Sequence, residues 1–161
     1  MTMIQRSQKV EQSIQDYVRE KLFTDQKYPE SQVEILDAWD SEKFEGGLEK
    51  NYVAMGFNFD DGGKEGETGS TLVRKVITIE FFVVATSNTW GRNLSSALQT
   101  ALEIDRVVPL RDIGEEGAPV IDALPVLSVS AEHQPISNPE PWQRHVWTVH
   151  LRVEDEYMVV V

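Results

Sequence analysis

The 161-residue sequence predicts an α+β fold: a largely antiparallel β-sheet with two α-helices packed on one face, and a long β-hairpin with a flexible tip. Three observations predict it. Two segments place their apolar residues on a single helical stripe. Several others alternate apolar and polar residues with a period of two. The resulting order, α-β-β-β-α-β-β, puts two helices over one face of a sheet whose strands mostly follow one another. The length fits one domain spanning 1–161, with a C-terminal apolar tail at 154–161.

The first helix is predicted over about residues 4–23. Val10, Ile14, Tyr17, Val18 and Leu22 fall at i, i+4, i+7, i+8 and i+12. It must end before Tyr28-Pro29, because the residue preceding proline resists the α region. Residues 32–39 read as a first strand with Val33, Ile35 and Trp39 on one face. Residues 51–59 read as a second, with Val53, Met55, Phe57 and Phe59 alternating against Ala54, Gly56 and Asn58. Residues 60–70 follow, with four glycines and no apolar side chain. Such a segment cannot bury area to offset its ordering entropy, so it is expected to be a mobile hairpin tip. The returning strand runs from Val73 to Ala85, with Ile77, Ile79, Phe81 and Val83 on one face.

Ser87 or Asn88 can cap the second helix. Leu94, Ala97, Leu98, Ala101 and Leu102 form its stripe, which runs to about Asp105. Arg106 to Gly117 reads as irregular. Residues 119–130 read as one strand interrupted near Pro125, and 137–141 as a turn. The last strand is predicted over about 143–153, with Trp147, Val149, Leu151 and Val153 inward.

Composition narrows function. The chain carries 15 basic and 27 acidic residues, a net charge of −12, which argues against phosphate-tracking nucleic-acid binding. Seven of the excess negative charges fall in residues 32–71 and four in 106–140. Cysteine is absent, which removes disulfides, thiolate metal sites and thiol nucleophiles. No stretch of 18 apolar residues predicts a membrane helix, and residues 1–20 have no secretory apolar core.

The motifs that carry chemistry do not assemble. His145 and His150 are five apart on one predicted strand, hence on opposite faces, so no metal site is expected. No Gly-x-Ser-x-Gly nucleophile elbow occurs. The run from Asp60 to Glu65 fails as a calcium loop, since Gly62 and Lys64 occupy the positions that need oxygen ligands. Its glycines are no phosphate loop, because the Gly-Lys-Ser/Thr signature is missing. The expectation is a protein without catalytic residues, cofactor or metal.

Two aromatic and apolar features point to contacts instead. Trp142 and Trp147, on opposite faces if one strand holds both, make Trp142 a candidate interface residue. Tyr157-Met158-Val159-Val160-Val161 has high β-propensity after the acidic Glu154-Asp155-Glu156. A free tail of this kind is an aggregation hazard, so it either folds onto its own sheet or adds to a neighbouring subunit.

This element order, closing on Trp142-Gln-Arg-His-Val-Trp147-Thr-Val-His-Leu-Arg-Val153 and a hydrophobic end, resembles the tail terminator (tail-completion) proteins of long-tailed bacteriophages. The likeness lies in element order and patterning over most of the chain. Trp147, Val149 and Leu151 are its closest local match, and residues 106–140 are longer than in compact versions. The resemblance implies a virion protein of the head–tail junction, made in the host bacterial cytoplasm. It implies a homo-hexameric ring that caps the last ring of the tail-tube protein, ends tube polymerisation and presents a surface to the head–tail connector. DNA would pass through the lumen without specific binding. The candidate subunit and tube contacts are Asp60, Asp61, Gly62, Gly63, Lys64, Glu65 and Glu67 of the hairpin tip, Trp142, and Tyr157, Met158, Val159, Val160 and Val161. Two alternatives stand beside it: another neck, tail-completion or tail-tube subunit, and a small α+β ligand-binding domain or enzyme.

Overall fold

The computed structural model describes residues 6–37, 50–67, 70–134 and 145–160. Helix α1 spans Arg6–Arg19 and runs on into a π-helical segment, Glu20–Asp25. Strand β1 is Val33–Asp37, β2 Asn51–Glu67 and β3 Ser70–Ala85. Helix α2 is Asn88–Asp105, followed by β4 Val107–Arg111, β5 Val120–Gln134 and β6 His145–Val160. The strands form one curled sheet in the order β1-β2-β3-β6-β5-β4, antiparallel except where β1 runs parallel to β2. The fold is α+β.

One core joins both helices to one face of the sheet. Val10, Ile14, Val18 and Leu22 of the N-terminal helical run meet Leu94, Leu98 and Leu102 of α2 over Met55, Phe81, Val149 and Leu151. Both apolar stripes are therefore spent on packing, as helical periodicity requires. Ser87 caps α2, its hydroxyl accepting from the Trp90 backbone N–H at 3.2 Å. Arg106 ends the helix in the left-handed conformation, φ 59°, a position that favours glycine.

Four expectations are corrected. Residues 60–67 are strand: β2 stays paired to β3 through Gly66↔Thr71 and Glu67↔Ser70. Backbone pairing needs no side chain, and β3 is held on its other edge by β6, so the ladder extends where side-chain burial alone would not order the segment. The register shift between Asp61 and Gly63 absorbs Gly62 as a bulge. The last strand does not stop at 153 but runs to Val160, pairing Tyr157 with Val73 and Met158 with Leu72. Arg106–Gly117 is not wholly irregular: Val108 and Leu110 are buried on β4, and Pro109 is tolerated because β4 is an edge strand. The helix predicted to residue 23 changes to π geometry at Glu20.

The interruption expected at Pro125 is a change of partner. Residues 120–125 of β5 pair with β4, and from Val126 the strand pairs with β6 to Gln134, with a register shift between Val126 and Ser128.

Gly91 lies under Trp147. A Cβ at Gly91 would overlap the indole and come within 3.3 Å of the Ala85 Cβ. The indole cannot easily swing away, because the His133 ring stacks on it with centroids 4.1 Å apart. Gly→Ala in a helix ordinarily stabilises by about 0.5–1 kcal/mol. Gly91→Ala is expected to do the opposite, costing about 1–3 kcal/mol by overpacking, read from the midpoint of urea unfolding.

Candidate interaction surfaces

Two arrangements of side chains stand out from this frame. The first is a polar seam along α1. Arg6, Lys9, Ser13, Tyr17 and Lys21 recur at i, i+3, i+7, i+11 and i+15, a row along the helical run that shares only Tyr17 with its apolar stripe. Every member bonds to a residue between positions 105 and 155. Arg6 holds Asp155 with two hydrogen bonds, Nε to Oδ2 at 2.9 Å and Nη2 to Oδ1 at 2.8 Å, and reaches Asp122 at 3.3 Å. Lys9 donates to Asp112 at 2.7 Å, and the Ser13 hydroxyl accepts from the Arg111 N–H at 3.0 Å. Tyr17 donates to Asp105 at 2.7 Å, and Lys21 bridges Asp105 at 2.9 Å and Asp25 at 3.1 Å.

The seam sets ionisation. Tyr17 is pushed up, first by burial and then by its hydrogen bond to Asp105. Lys21 is raised, chiefly by its hydrogen bond to the same carboxylate, and Arg6 by its hydrogen bond to Asp155. Asp105 is held below the ordinary carboxylate range by the Tyr17 hydroxyl and then by Lys21. The signs follow by linkage. Asp105, depressed in the fold, contributes stability that is complete above the unfolded value of about 4 and is lost as pH falls below it. Tyr17 and Lys21, raised in the fold, contribute stability that is complete below about pH 10 and is lost as pH climbs above it. Urea midpoints measured across pH are expected to show both limbs. Asp105→Asn is expected to remove its own acid limb and to weaken the alkaline one, where the burial of Tyr17 remains.

The second arrangement is an arm. β2, β3 and β6 continue together past the core, pairing 60–67, 70–76 and 154–160. β1 covers only Asn51–Met55 of β2, and β5 pairs with β6 only up to Val153. Among the described residues the arm therefore has no strand partner on either outer edge.

The structure brings most of the sequence-predicted contact residues together on this arm. Asp60 pairs with Val76, Asp61 with Lys75, Gly63 with Arg74, Lys64 with Val73 and Glu65 with Leu72. Val159 and Val160 pair with Thr71 and Ser70, so the tail lies on its own sheet. Tyr157 and Met158 are separated by the pleat. Arg6 lies 4.3 Å and Lys75 5.9 Å from the Tyr157 ring centroid, whereas Met158 is 57% exposed. Trp142 and Val161 lie outside the described residues.

The histidines do not converge. His133 stacks on Trp147, while His150 stands 3.9 Å from Glu80 and 3.7 Å from Glu132, beyond hydrogen-bonding distance. Among the described residues no three His, Asp or Glu side chains gather as a metal site, and no helix is long and apolar enough to cross a membrane. Asn88 Oδ1, His133 Nε2 and Trp147 Nε1 are buried without a hydrogen-bond partner.

Sequence reasoning missed the seam. Its spacing on α1 was readable, but its partners lie up to 149 residues away. Compared with known proteins, the chain matches no family model and no curated protein.

Proposed function

We propose that this chain is a structural subunit of a phage head–tail junction, a tail terminator that closes into a ring on the end of the tail tube. The observation that supports it most is the three-stranded arm. Two strand edges without a strand partner among the described residues are suited to adding neighbouring chains by backbone hydrogen bonding. A ring needs heterologous contacts, in which each subunit uses two different patches. Charge is consistent with a conduit: six copies at −12 each give about −72, which repels a polyanion rather than holding it.

The same two open edges favour a second reading, a tail-tube subunit, because edges that add chains without closing produce filaments. Electron microscopy of the purified full chain separates the two. Closed rings with a central channel, which shorten tubes when mixed with polymerising tail-tube protein, are expected of a terminator. Open filaments growing from this chain alone would establish the tube reading, and particles with no channel would contradict both.

A further inference from the structure

Six large hydrophobic residues are strongly exposed among the described residues, and five of them fall between positions 104 and 127: Ile104, Val107, Val120, Ile121 and Leu127. The sixth is Met158. This is not scatter. Val107 pairs with Pro125, and Arg111 with Val120 across a register shift that places Val120 and Ile121 together opposite it. The Val126 N–H donates to the Arg106 carbonyl, tying β5 to the end of α2, and the exposed Ile104 and Leu127 lie within two residues of this link in sequence. The two-stranded β4–β5 ribbon thus turns an apolar face outward.

Three of the nearby acids are engaged elsewhere, while Glu103 lines a groove between α2 and β5. Asp105, Asp112 and Asp122 are all held by the α1 seam. On the helix side of the sheet, this open groove of about 470 Å³ lies between the end of α2 and β5, lined by Leu102, Glu103, Arg106, Val126, Ser128 and Val129. The Arg106 guanidinium has no acidic partner among the described residues, although its backbone sits in a conformation that glycine would adopt more readily. Solvated monomers seldom leave so concentrated an apolar face uncovered.

We propose that this groove, with the exposed Leu127 adjoining it in sequence, receives the arm of a second copy of the chain, with Met158 entering the groove. The inference rests on the ring reading, which requires two unlike patches per subunit. The two apolar features left exposed are unlike: one recessed and one projecting, and methionine adapts to an irregular recess. Charge selects the pairing. The arm carries four acidic and one basic residue at 60–67, two basic at 70–77 and three acidic at 154–160, a net of −4. Arg106 meets that charge in a head-to-tail contact, whereas a face-to-face contact would oppose two copies of Arg106. Pro109 removes one N–H donor from β4, and Ser13 already occupies that of Arg111, so the β4 edge is poorly equipped for strand addition and the contact uses the groove.

The chain has no cysteine, so a single introduced thiol reports cleanly. Leu127→Cys and Met158→Cys are made separately and treated with a short thiol–thiol crosslinker, alone and mixed. Covalent dimers are expected from the mixture and not from either variant alone. Self-linking of Leu127→Cys would show a face-to-face contact and overturn the proposal. No linking in the mixture, with a wild-type ring still formed, would overturn the proposal and leave the ring reading standing. A wild-type chain that stays monomeric at every concentration would overturn both. Two further variants guard against misfolding as the cause of any loss. Leu127→Asp is expected to reduce the assembled mass to that of the monomer with circular dichroism and melting unchanged. Arg106→Gly is expected to melt higher and yet assemble roughly tenfold more weakly; unchanged assembly in both would contradict the contact.

Discussion

Phe81→Ala is expected to lower the unfolding free energy by about 3–5 kcal/mol. Phe81 is fully buried at the middle of β3, the strand that carries β2 on one side and β6 on the other. Its direct cross-strand neighbours are Met55 and Val149, both fully buried. Truncation loses the transfer free energy of the ring and leaves a cavity that three hydrogen-bonded strands cannot collapse to fill. For a chain of this length that is roughly 6–20 °C in Tm, at about 2–4 °C per kcal/mol. A urea titration checks it. A loss under about 1 kcal/mol would mean that β3 is not the centre of the core.

Arg6→Met is expected to cost on the order of 3 kcal/mol, although Arg6 lies at the start of a helix where surface substitutions usually matter little. The reason is its partner. Asp155 is 3% exposed, and both of its carboxylate oxygens accept from the Arg6 guanidinium. Removing the cation leaves a buried carboxylate without its counter-charge, and breaking one side of such a pair is far more costly than replacing both sides. The double variant Arg6→Met, Asp155→Leu is therefore expected to recover most of the loss. Urea unfolding of the two single variants and the double variant forms a cycle that reads the coupling directly. A double variant no better than the sum of the singles would show that the pair does not act as a unit.

These residues also show what could be read in advance. The alternation of Ile77, Ile79, Phe81 and Val83 was legible because one face of β3 is buried throughout, and period two survives any tertiary context. The Ser87 cap was legible because its hydrogen bond is local. Asp155 was not. Within Glu154-Asp155-Glu156 it reads as part of a solvated charged run, and its counter-charge comes from Arg6, 149 residues away. The glycine-rich 60–67 segment read as a loop because side-chain burial was the only visible criterion, whereas its strand state rests on pairing with β3. β4 is five residues long with a proline in it, too short and too irregular for its periodicity to register. The parallel β1–β2 pairing leaves no trace in either strand, since period two is the same for both directions. Of the proposed contact surfaces, the arm was found as a hairpin and a tail, while the apolar β4–β5 face stayed hidden because its apolar residues read as ordinary core.

The central claim is that this chain acts as a closed assembly of copies of itself. Light scattering behind a sizing column, on the full chain at low and high concentration, tests it most directly. A ring of six predicts one discrete species near 110 kDa, six times the 18.3 kDa subunit. A monomer of 18.3 kDa that persists at the highest concentration, including in the presence of tail-tube protein, would contradict it.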